Sequence, residues 1–347
     1  MKESLLPSLR CPACAEPLRL VISRKDGDEV TRGTLACGGC GAVFPIQDGI
    51  PTLIPGPLPE QEERTSAAFG AQWLHFSELY DETREQFLDW VAPLGPEDFR
   101  GRRVLDAGCG MGRLSYVAAG FGTAELVAVD LSAAVQAAGR NLRGLPNVHV
   151  VRADILSLPF RKPFDLVYSI GVLHHLPDPA AGFRHLLPHV RPGGKVVVWV
   201  YAREGNEWLV RFLNPIRQRI TARLPMGARR ALSFAIDLIL HPVLKLFYRW
   251  DWPGRRLLPY RAYLSWLARY GFRHNQQVIF DHLSAPTAFY IPRADFESWF
   301  RDAGLRDVTI TCRNGNSWRG MGTKPEKGSG AFSAAERVPD PFSQRGM

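Results

Sequence analysis

The sequence predicts an α/β fold: a doubly wound, seven-stranded and mostly parallel sheet, preceded by a small cysteine-rich domain and interrupted by an inserted helical cap. Three observations support this. Five short apolar runs alternate with helical stretches between residues 66 and 202, strand and helix patterns return after residue 274, and two cysteine pairs fall within residues 1–40. Alternating β-branched runs and helices are typical of a parallel sheet with helices on both faces.

The composition is that of a globular protein. Of the 347 residues, 46% are hydrophobic and 22% are charged, which excludes extensive disorder. The chain lacks a clean apolar run of about 18 residues, and its beginning, M-K-E-S-L-L-P-S, lacks the long apolar core of a secretory signal. We therefore expect a cytoplasmic protein without a conventional transmembrane helix.

Shifts in composition divide the chain into four parts. We predict a cysteine-rich domain over 1–55, a proline-rich polar linker over 56–65, a main domain over 66–323 and a disordered Gly/Ser/Pro-rich tail over 324–347. Within the main domain, residues 203–273 form a basic helical insertion.

The first element is a pair of cysteine knuckles, Cys11-x-x-Cys14 and Cys37-x-x-Cys40, separated by 22 residues. In a cytosolic chain this spacing indicates a metal site before it indicates disulfides. Four thiolates suit tetrahedral zinc and leave no ligand position open, so we predict a structural zinc ion. The alternative is a ribbon that has lost its metal and keeps its cysteines reduced.

The segment 9–55 resembles the zinc-ribbon activator subunit of tRNA and protein methyltransferases. The resemblance rests on the motifs C-P-A-C, C-G-G-C-G and, most specifically, F-P-I-Q-D-G-I-P-T-L-I-P.

The main domain contains the predicted strands and one late helix. The strands cover Arg103–Ala107, Glu125–Asp130, Val148–Ala153, Phe164–Ser169, Gly194–Tyr201, Val308–Cys312 and Ser317–Thr323, and the helix covers Arg293–Ala303.

A glycine-rich turn follows the first of these strands in V-L-D-A-G-C-G-M-G-R. Gly108, Gly110 and Gly112 lead from the strand into a helix, a pattern that dinucleotide-binding folds share, so the glycines alone are weak evidence. Asp106 stands at the strand end before them. A carboxylate there would repel a phosphate and attract a cation such as a sulfonium or an α-ammonium group.

Two further acids end the next strands. Asp130 follows Asp106 by 24 residues, a distance at which an acid can accept both ribose hydroxyls. Asp154 ends the third strand, where a carboxylate and a neighbouring backbone amide could read the edge of adenine.

This order of motifs resembles the class I S-adenosylmethionine-dependent methyltransferases, a Rossmann-like fold, and especially the quinone-biosynthesis branch. The match covers about residues 100–202 and, more weakly, 290–312. The resemblance implies S-adenosylmethionine as the cofactor. Its implied ligands are Asp106, Gly108, Gly110 and Gly112 at the methionine end, Asp130 and Leu131 at the ribose, Asp154 and Ile155 at the adenine, and Ser169 beneath the cofactor.

A general base is needed only if the methyl acceptor is a hydroxyl or another weak acid. His175 follows the fourth strand at the carboxyl edge, where open α/β sheets bind ligands; in the resembling family a histidine at this position is mainly structural. Asp281 and His282 form a second candidate, since an Asp-His pair can hold an imidazole pKa near 7. The alternative for that pair is a capped loop.

The positive charge is concentrated in the insertion. The whole chain carries +9, and residues 203–273 alone carry +10, from fourteen basic and four acidic residues. Leucine-rich, arginine-flanked helices over 205–250 suit either a soluble helical cap or an anionic membrane surface. Nucleic acid is a further possibility, but the leucine content argues against a polar RNA-binding face.

The leading hypothesis is methyl transfer from S-adenosylmethionine to a small-molecule, lipid-like or glycan acceptor, with peripheral membrane association if the insertion binds lipid. One alternative is an RNA methyltransferase that docks its substrate through the zinc ribbon. Another is a zinc-ribbon interaction module with an inactive cofactor-binding domain, against which the complete set of acids and glycines argues. The sequence predicts neither the acceptor atom nor an oligomeric state.

Overall fold

The computed structural model describes residues 1–80 and 82–326. Its strands are β1 (Leu18–Asp26), β2 (Glu29–Cys37), β3 (Val43–Gln47), β4 (Ile50–Leu53), β5 (Arg103–Ala107), β6 (Glu125–Asp130), β7 (Val148–Ala153), β8 (Phe164–Ile170), β9 (Val190–Tyr201), β10 (Arg306–Arg313) and β11 (Ser317–Thr323). Its α-helices are α1 (Glu60–His75), α2 (Thr83–Val91), α3 (Arg113–Gly120), α4 (Val135–Asn141), α5 (Pro179–Leu186), α6 (Asn214–Arg219), α7 (Met226–Val243), α8 (Arg261–Leu267), α9 (Phe272–Ser284) and α10 (Arg293–Asp302).

The main sheet confirms the predicted fold class. Its strand order is β7-β6-β5-β8-β9-β11-β10, with parallel pairing from β7 to β9 and antiparallel pairing of β11 with both neighbours. Every predicted strand is present. β9 begins earlier than predicted because the Pro-Gly-Gly segment is extended: Gly193 donates its amide to the Lys324 carbonyl, and Lys324 donates to the Gly194 carbonyl.

The N-terminal ribbon is a four-stranded antiparallel sheet that joins the main sheet. Strand β4 pairs in parallel with β7, which makes one continuous sheet of eleven strands. Leu5, Leu35 and Phe44 of the ribbon share a hydrophobic core with Phe160 of the main domain. The ribbon therefore packs on the main domain as part of its core.

Helix α1 begins at Glu60, inside the segment 56–65 that we interpret as a linker. Pro59 precedes the helix, and three glutamates in the first turn face the positive end of the helix dipole. Only the first four residues of that segment, 56–59, therefore lie outside the helix, and α1 crosses the sheet edge described below.

The insertion after β9 is helical, as predicted, but it is longer than 203–273. Helix α9 continues to Ser284, with Ile279, Phe280 and Leu283 buried at helical spacing. The run V-I-F-D-H is therefore part of a helix, so Asp281 and His282 do not lie in the capped loop that was the alternative interpretation of the pair. The predicted tail begins at Lys324, and its residues from 327 lie outside the described part of the chain.

Candidate functional site

The glycine turn between β5 and α3 lies at the carboxyl edge of the sheet. Gly108 and Gly110 have φ angles of +95° and +53°, in the region that favours glycine. A Cβ atom on Gly108 would lie 2.3 Å from a methyl group of Val172, and one on Gly110 would lie 3.3 Å from the Trp73 Nε1 atom. The turn is therefore a tight cradle that packs against Val172 and Trp73, and its residues Gly108–Gly110 line the adjoining cavity.

Asp130, at the end of β6, supports this cradle and faces the cavity beside it. Its carboxylate accepts the Gly110 amide at 2.8 Å, the Ser132 amide at 2.8 Å and the Ser132 hydroxyl at 2.6 Å. Burial raises the pKa of Asp130, and these hydrogen bonds oppose the rise. An ionised carboxylate offers about four lone pairs, so it can accept ribose hydroxyls in addition to these donors.

The third acid lies on the same wall. Asp154 accepts the Leu156 amide at 2.9 Å and begins a 3₁₀ turn, so that its neighbour Ile155 also lines the cavity. Leu131 lines it as well, and its carbonyl is fixed by the Arg152 side chain at 3.0 Å. The structure thus brings the predicted ribose and adenine residues together.

Asp106 and Ser169 lie beneath the cradle instead of facing the cavity. Asp106 is 1% exposed and accepts the Ser115 hydroxyl at 2.6 Å and the Tyr168 hydroxyl at 3.0 Å. Burial raises its pKa to about 7. Ser169 is fully buried and donates to the Ala107 carbonyl at 2.8 Å. Both side chains support the turn from the side that faces away from the cavity. The sequence had suggested that Asp106 would contact a bound cation, but its side chain does not reach the cavity.

This site fits S-adenosylmethionine by the chemistry of its groups. Asp130 and Asp154 present acceptors to hydroxyl and amino groups, while Ile155 and Leu131 offer an apolar wall to a base. Gly108, Cys109 and Gly110 line the cavity, where a ligand can contact their backbone.

Helix α1 covers the cradle and supplies site residues that sequence reasoning missed. Phe69 and Trp73 line the cavity, and the Phe69 ring lies 4.7 Å from the His175 ring. Gln72 is 1% exposed and reaches across to helix α9. The available signal was the helical spacing of these residues in A-A-F-G-A-Q-W, which follows the segment interpreted as a linker.

Arg113 is a further unpredicted site residue. Its guanidinium donates to the Gln86 side chain at 2.9 Å and lies 5.5 and 5.3 Å from the ring centres of Trp73 and Trp90. Burial lowers its pKa to about 10. Arg113 therefore remains a cation at neutral pH, held between aromatic faces in the cavity wall.

The cradle opens into a cavity of about 590 Å³ beneath the cap. Cap side chains on its wall are mostly apolar or aromatic; they include Trp208, Leu209, Leu213, Ile236, Leu240, Tyr260, Tyr263, Leu264 and Trp266. The aromatic residues Trp90, Trp199 and Tyr201 close the sheet side. The volume and lining are typical of a small-molecule pocket.

His175, Asp281 and His282 all line this cavity. Asp281 accepts the Gln72 amide at 2.8 Å on one oxygen and the Tyr201 hydroxyl at 3.2 Å on the other. His282 instead shares a hydrogen bond with the Tyr263 hydroxyl at 3.2 Å. Because the two residues are consecutive on α9, their side chains turn to different partners, and they do not form the expected Asp-His pair.

His175 has the geometry of a base. Its Nδ1 atom lies 2.6 Å from the Thr287 carbonyl oxygen, and a carbonyl only accepts, so Nδ1 carries the proton and donates it. Nε2 therefore holds the lone pair. Burial lowers the pKa of His175, and the negative charge of Asp281 opposes this effect only in part. The ring is therefore neutral at pH 7.

The four cysteines of the ribbon form a tetrad. Their sulfur atoms all lie within 4.8 Å of one another, with Cys11 and Cys40 3.6 Å apart and Cys14 and Cys37 3.3 Å apart. Zn–S bonds of about 2.3 Å in a tetrahedron place sulfurs roughly 3.8 Å apart. The tetrad therefore fits one structural zinc ion, with all four positions filled by protein.

Comparisons with known families agree with both parts of the chain. Residues 80–310 match the family described as methyltransferase domain, and residues 2–49 match the Trm112p-like protein family.

Named relatives match over shorter stretches. A tRNA U34 carboxymethyltransferase of Pseudoalteromonas translucida is 34% identical over 114 residues, 32% of this chain and 35% of that protein. A ubiquinone biosynthesis O-methyltransferase of Ralstonia nicotianae is 30% identical over 158 residues, 42% of this chain and 61% of that protein. The chain thus spans about a third of the length of the first relative and under two thirds of the second.

Two solved structures illustrate the structural likeness. A chain of the Haloferax volcanii complex between the Trm112 methyltransferase activator and a methyltransferase is 14% identical, with a TM-score of 0.43, over 78% of this chain and 100% of that one. Magnesium protoporphyrin IX methyltransferase of Synechocystis, solved with bound SAH, is 15% identical, with a TM-score of 0.41, over 78% and 89% of the two chains.

Proposed function

Since the chain belongs to the methyltransferase-domain family, we propose that it transfers a methyl group from S-adenosylmethionine to an acceptor held in the cavity beneath the cap. The observation that carries this proposal is the continuity of the cavity. Asp130 and Asp154 at the sheet edge line the same space as His175 and the aromatic cap residues. Donor and acceptor would therefore meet in one cavity, where positioning lowers most of the barrier.

The cofactor would lie along the carboxyl edge of β5, β6 and β7. Asp130 would accept the ribose hydroxyls, and Asp154 with Ile155 would contact the adenine. Gly108 and Gly110 would let the methionine portion approach the backbone, while Asp106 supports them from below. S-adenosylmethionine supplies an activated methyl group when it is bound, so the protein needs chiefly to align the acceptor and exclude water.

We propose an apolar, ring-containing small molecule as the acceptor. The cap lines its side of the cavity mostly with aliphatic and aromatic side chains, and burying apolar surface there favours such a ligand by about 25 cal/mol per Å². Tyr201 and Tyr290, whose rings are stacked with centres 5.7 Å apart, provide flat surfaces beside His175.

His175 would act as the general base for an acceptor hydroxyl. Nε2 takes the proton as the acceptor atom forms its bond to the methyl group, and the Thr287 carbonyl stabilises the imidazolium through Nδ1–H. Asp281 would position this site, since its carboxylate connects α1, β9 and α9 through Gln72 and Tyr201. His282 would orient Tyr263 at the cavity wall.

An RNA acceptor is the second candidate. The tRNA U34 carboxymethyltransferase relatives and the Trm112p-like ribbon favour it over a small molecule, and the basic insertion would suit phosphates. The largely apolar lining of the cavity favours the small molecule, and a nucleotide in a folded RNA must be extruded to enter it.

Methyl-labelled S-adenosylmethionine distinguishes these acceptors. The full chain is incubated with the label and with separate small-molecule, lipid and RNA fractions of a cell extract. We expect label in the small-molecule or lipid fraction, and a His175→Ala variant that transfers much less. Label found only in RNA would establish the second candidate and contradict the first. A chain that binds the cofactor but labels no fraction would contradict methyl transfer to any of them.

A further inference from the structure

The outer face of the cap carries a row of apolar side chains in solvent. This α7 stripe consists of Phe234, Leu238, Ile239, Val243, Leu246, Phe247 and Trp250, which are between 38% and 72% exposed. Ile239, Val243, Leu246 and Trp250, at spacings of three or four residues, share one side of α7 and of the π-helical turn Leu244–Tyr248 that continues it, and the other three flank this side. The stripe is roughly 24 Å long at 1.5 Å per residue.

The charges around the stripe are mostly positive, and exposed Asp251, which follows Trp250, opposes them. Exposed Arg230 and Arg249 lie at its two ends, whereas Asp237, the carboxylate of α7, is fully buried on the other side of the helix. The neighbouring segment adds Phe212, Ile216 and Ile220, which are 48–60% exposed. Exposed arginines accompany them; these are Arg211, Arg219 and Arg223.

The opposite side of α7 belongs to the cavity. Ile236 and Leu240 line it, and α7 packs along α9. Helix α7 is therefore apolar on both sides: its inner residues form the cavity wall, and its outer residues are largely exposed to solvent, although Phe234 packs edge-on against Phe272 with ring centres 5.3 Å apart.

We propose that the α7 stripe rests on the surface of an anionic lipid bilayer. Aliphatic and aromatic side chains gain free energy in the acyl region, arginines attract anionic headgroups, and tryptophan is favoured at the boundary between them. The stretch Met226–Tyr248 is long and apolar enough to cross a membrane by length and composition. Because its inner face packs on the cap around buried Asp237, it would lie along the surface.

The charge pattern favours lipid over other occupants. In a twofold dimer that paired two stripes, Arg230 and Arg249 would meet arginines of the second copy in either helix direction, which is repulsive. RNA would contact the arginines but gain little from exposed Leu238 and Ile239. This inference concerns a binding surface and does not rest on the proposed function.

Vesicle co-sedimentation tests it with the full chain, without cofactor or acceptor. We expect binding to vesicles of equal parts phosphatidylglycerol and phosphatidylcholine, weaker binding to phosphatidylcholine alone, and weakening by salt. Ile239→Asp with Leu246→Asp should lower the affinity at least tenfold. Arg230→Ser with Arg249→Ser should lower it about 25-fold, at roughly fivefold per arginine. Val43→Asp, which alters a 60% exposed valine on the ribbon, should bind as the unaltered chain does.

Unchanged thermal unfolding and cofactor affinity would show that the variants keep their fold. The proposal is overturned by an absence of vesicle binding or by equal affinity for both lipid mixtures. It is also overturned if the aspartate variants bind vesicles as tightly as the unaltered chain. Sedimentation velocity that shows a dimer dissolved by Ile239→Asp, without vesicle binding, would identify a second copy as the occupant instead. Because these measurements need no methyl transfer, they can fail while the proposed function holds.

Discussion

Replacing Asp130 by alanine tests the cofactor site most sharply among single substitutions. The carboxylate of Asp130 holds the Gly110 amide and would accept the ribose hydroxyls. Hydrogen bonds to a charged group contribute about 1.5–3 kcal/mol each, so losing two ribose contacts costs about 3–6 kcal/mol. At 1.4 kcal/mol per factor of ten, we expect the affinity for S-adenosylmethionine to fall roughly 10²- to 10⁴-fold.

Isothermal titration calorimetry measures this change directly. Asp130→Asn retains one oxygen and should lose less affinity than Asp130→Ala. Asp302→Ala, on the exposed end of α10, removes a carboxylate paired only with a surface arginine and serves as the control. A loss below about threefold in Asp130→Ala, with the fold intact, would show that the nucleoside does not bind at the end of β6.

Three further outcomes follow from the geometry. Cys14→Ser should reduce zinc well below one ion per chain by elemental analysis and lower Tm by about 5–10 °C, whereas Cys312→Ser should change neither. His175→Ala should lower kcat about 10²- to 10⁴-fold while leaving the cofactor Kd unchanged. Burial lowers the pKa of His175 below its ordinary value of about 6.5, so the base of the unaltered enzyme should be deprotonated at pH 7. A plot of kcat/KM against pH should therefore begin to fall at a pH below about 6.5. Gly108→Ala should destabilise the chain by about 2–4 kcal/mol in urea, through positive φ and the clash described above; Gly120→Ala, whose Cβ would meet open space, should not.

Much of the fold could be predicted because local pattern and tertiary environment agree. The runs Arg103–Ala107 and Glu125–Asp130 are buried on both faces, and Val148–Ala153 is buried on one face and partly buried on the other, so their apolar composition marks them as strands. Linker and insertion boundaries were less predictable. The segment 56–65 is polar enough to suggest a loop, yet its glutamates favour the first turn of a helix.

The residues of the candidate site were likewise only partly predictable from the sequence. Asp130 and Asp154 follow directly from strand ends, since those positions share one edge of the sheet. The depth of Asp106 could not be read from sequence, because Ser115 and Tyr168, which cover it, come from other elements. Contacts that join distant segments, such as Gln72 with Asp281, leave no local pattern to detect.

A crystal structure of the full chain with S-adenosylhomocysteine bound tests the central claim most directly. We predict the ribose hydroxyls on Asp130, the adenine between Asp154 and Ile155, and the sulfur atom facing the cavity that His175 and the cap enclose. A nucleoside bound elsewhere, or a sulfur atom directed away from that cavity, would contradict the account.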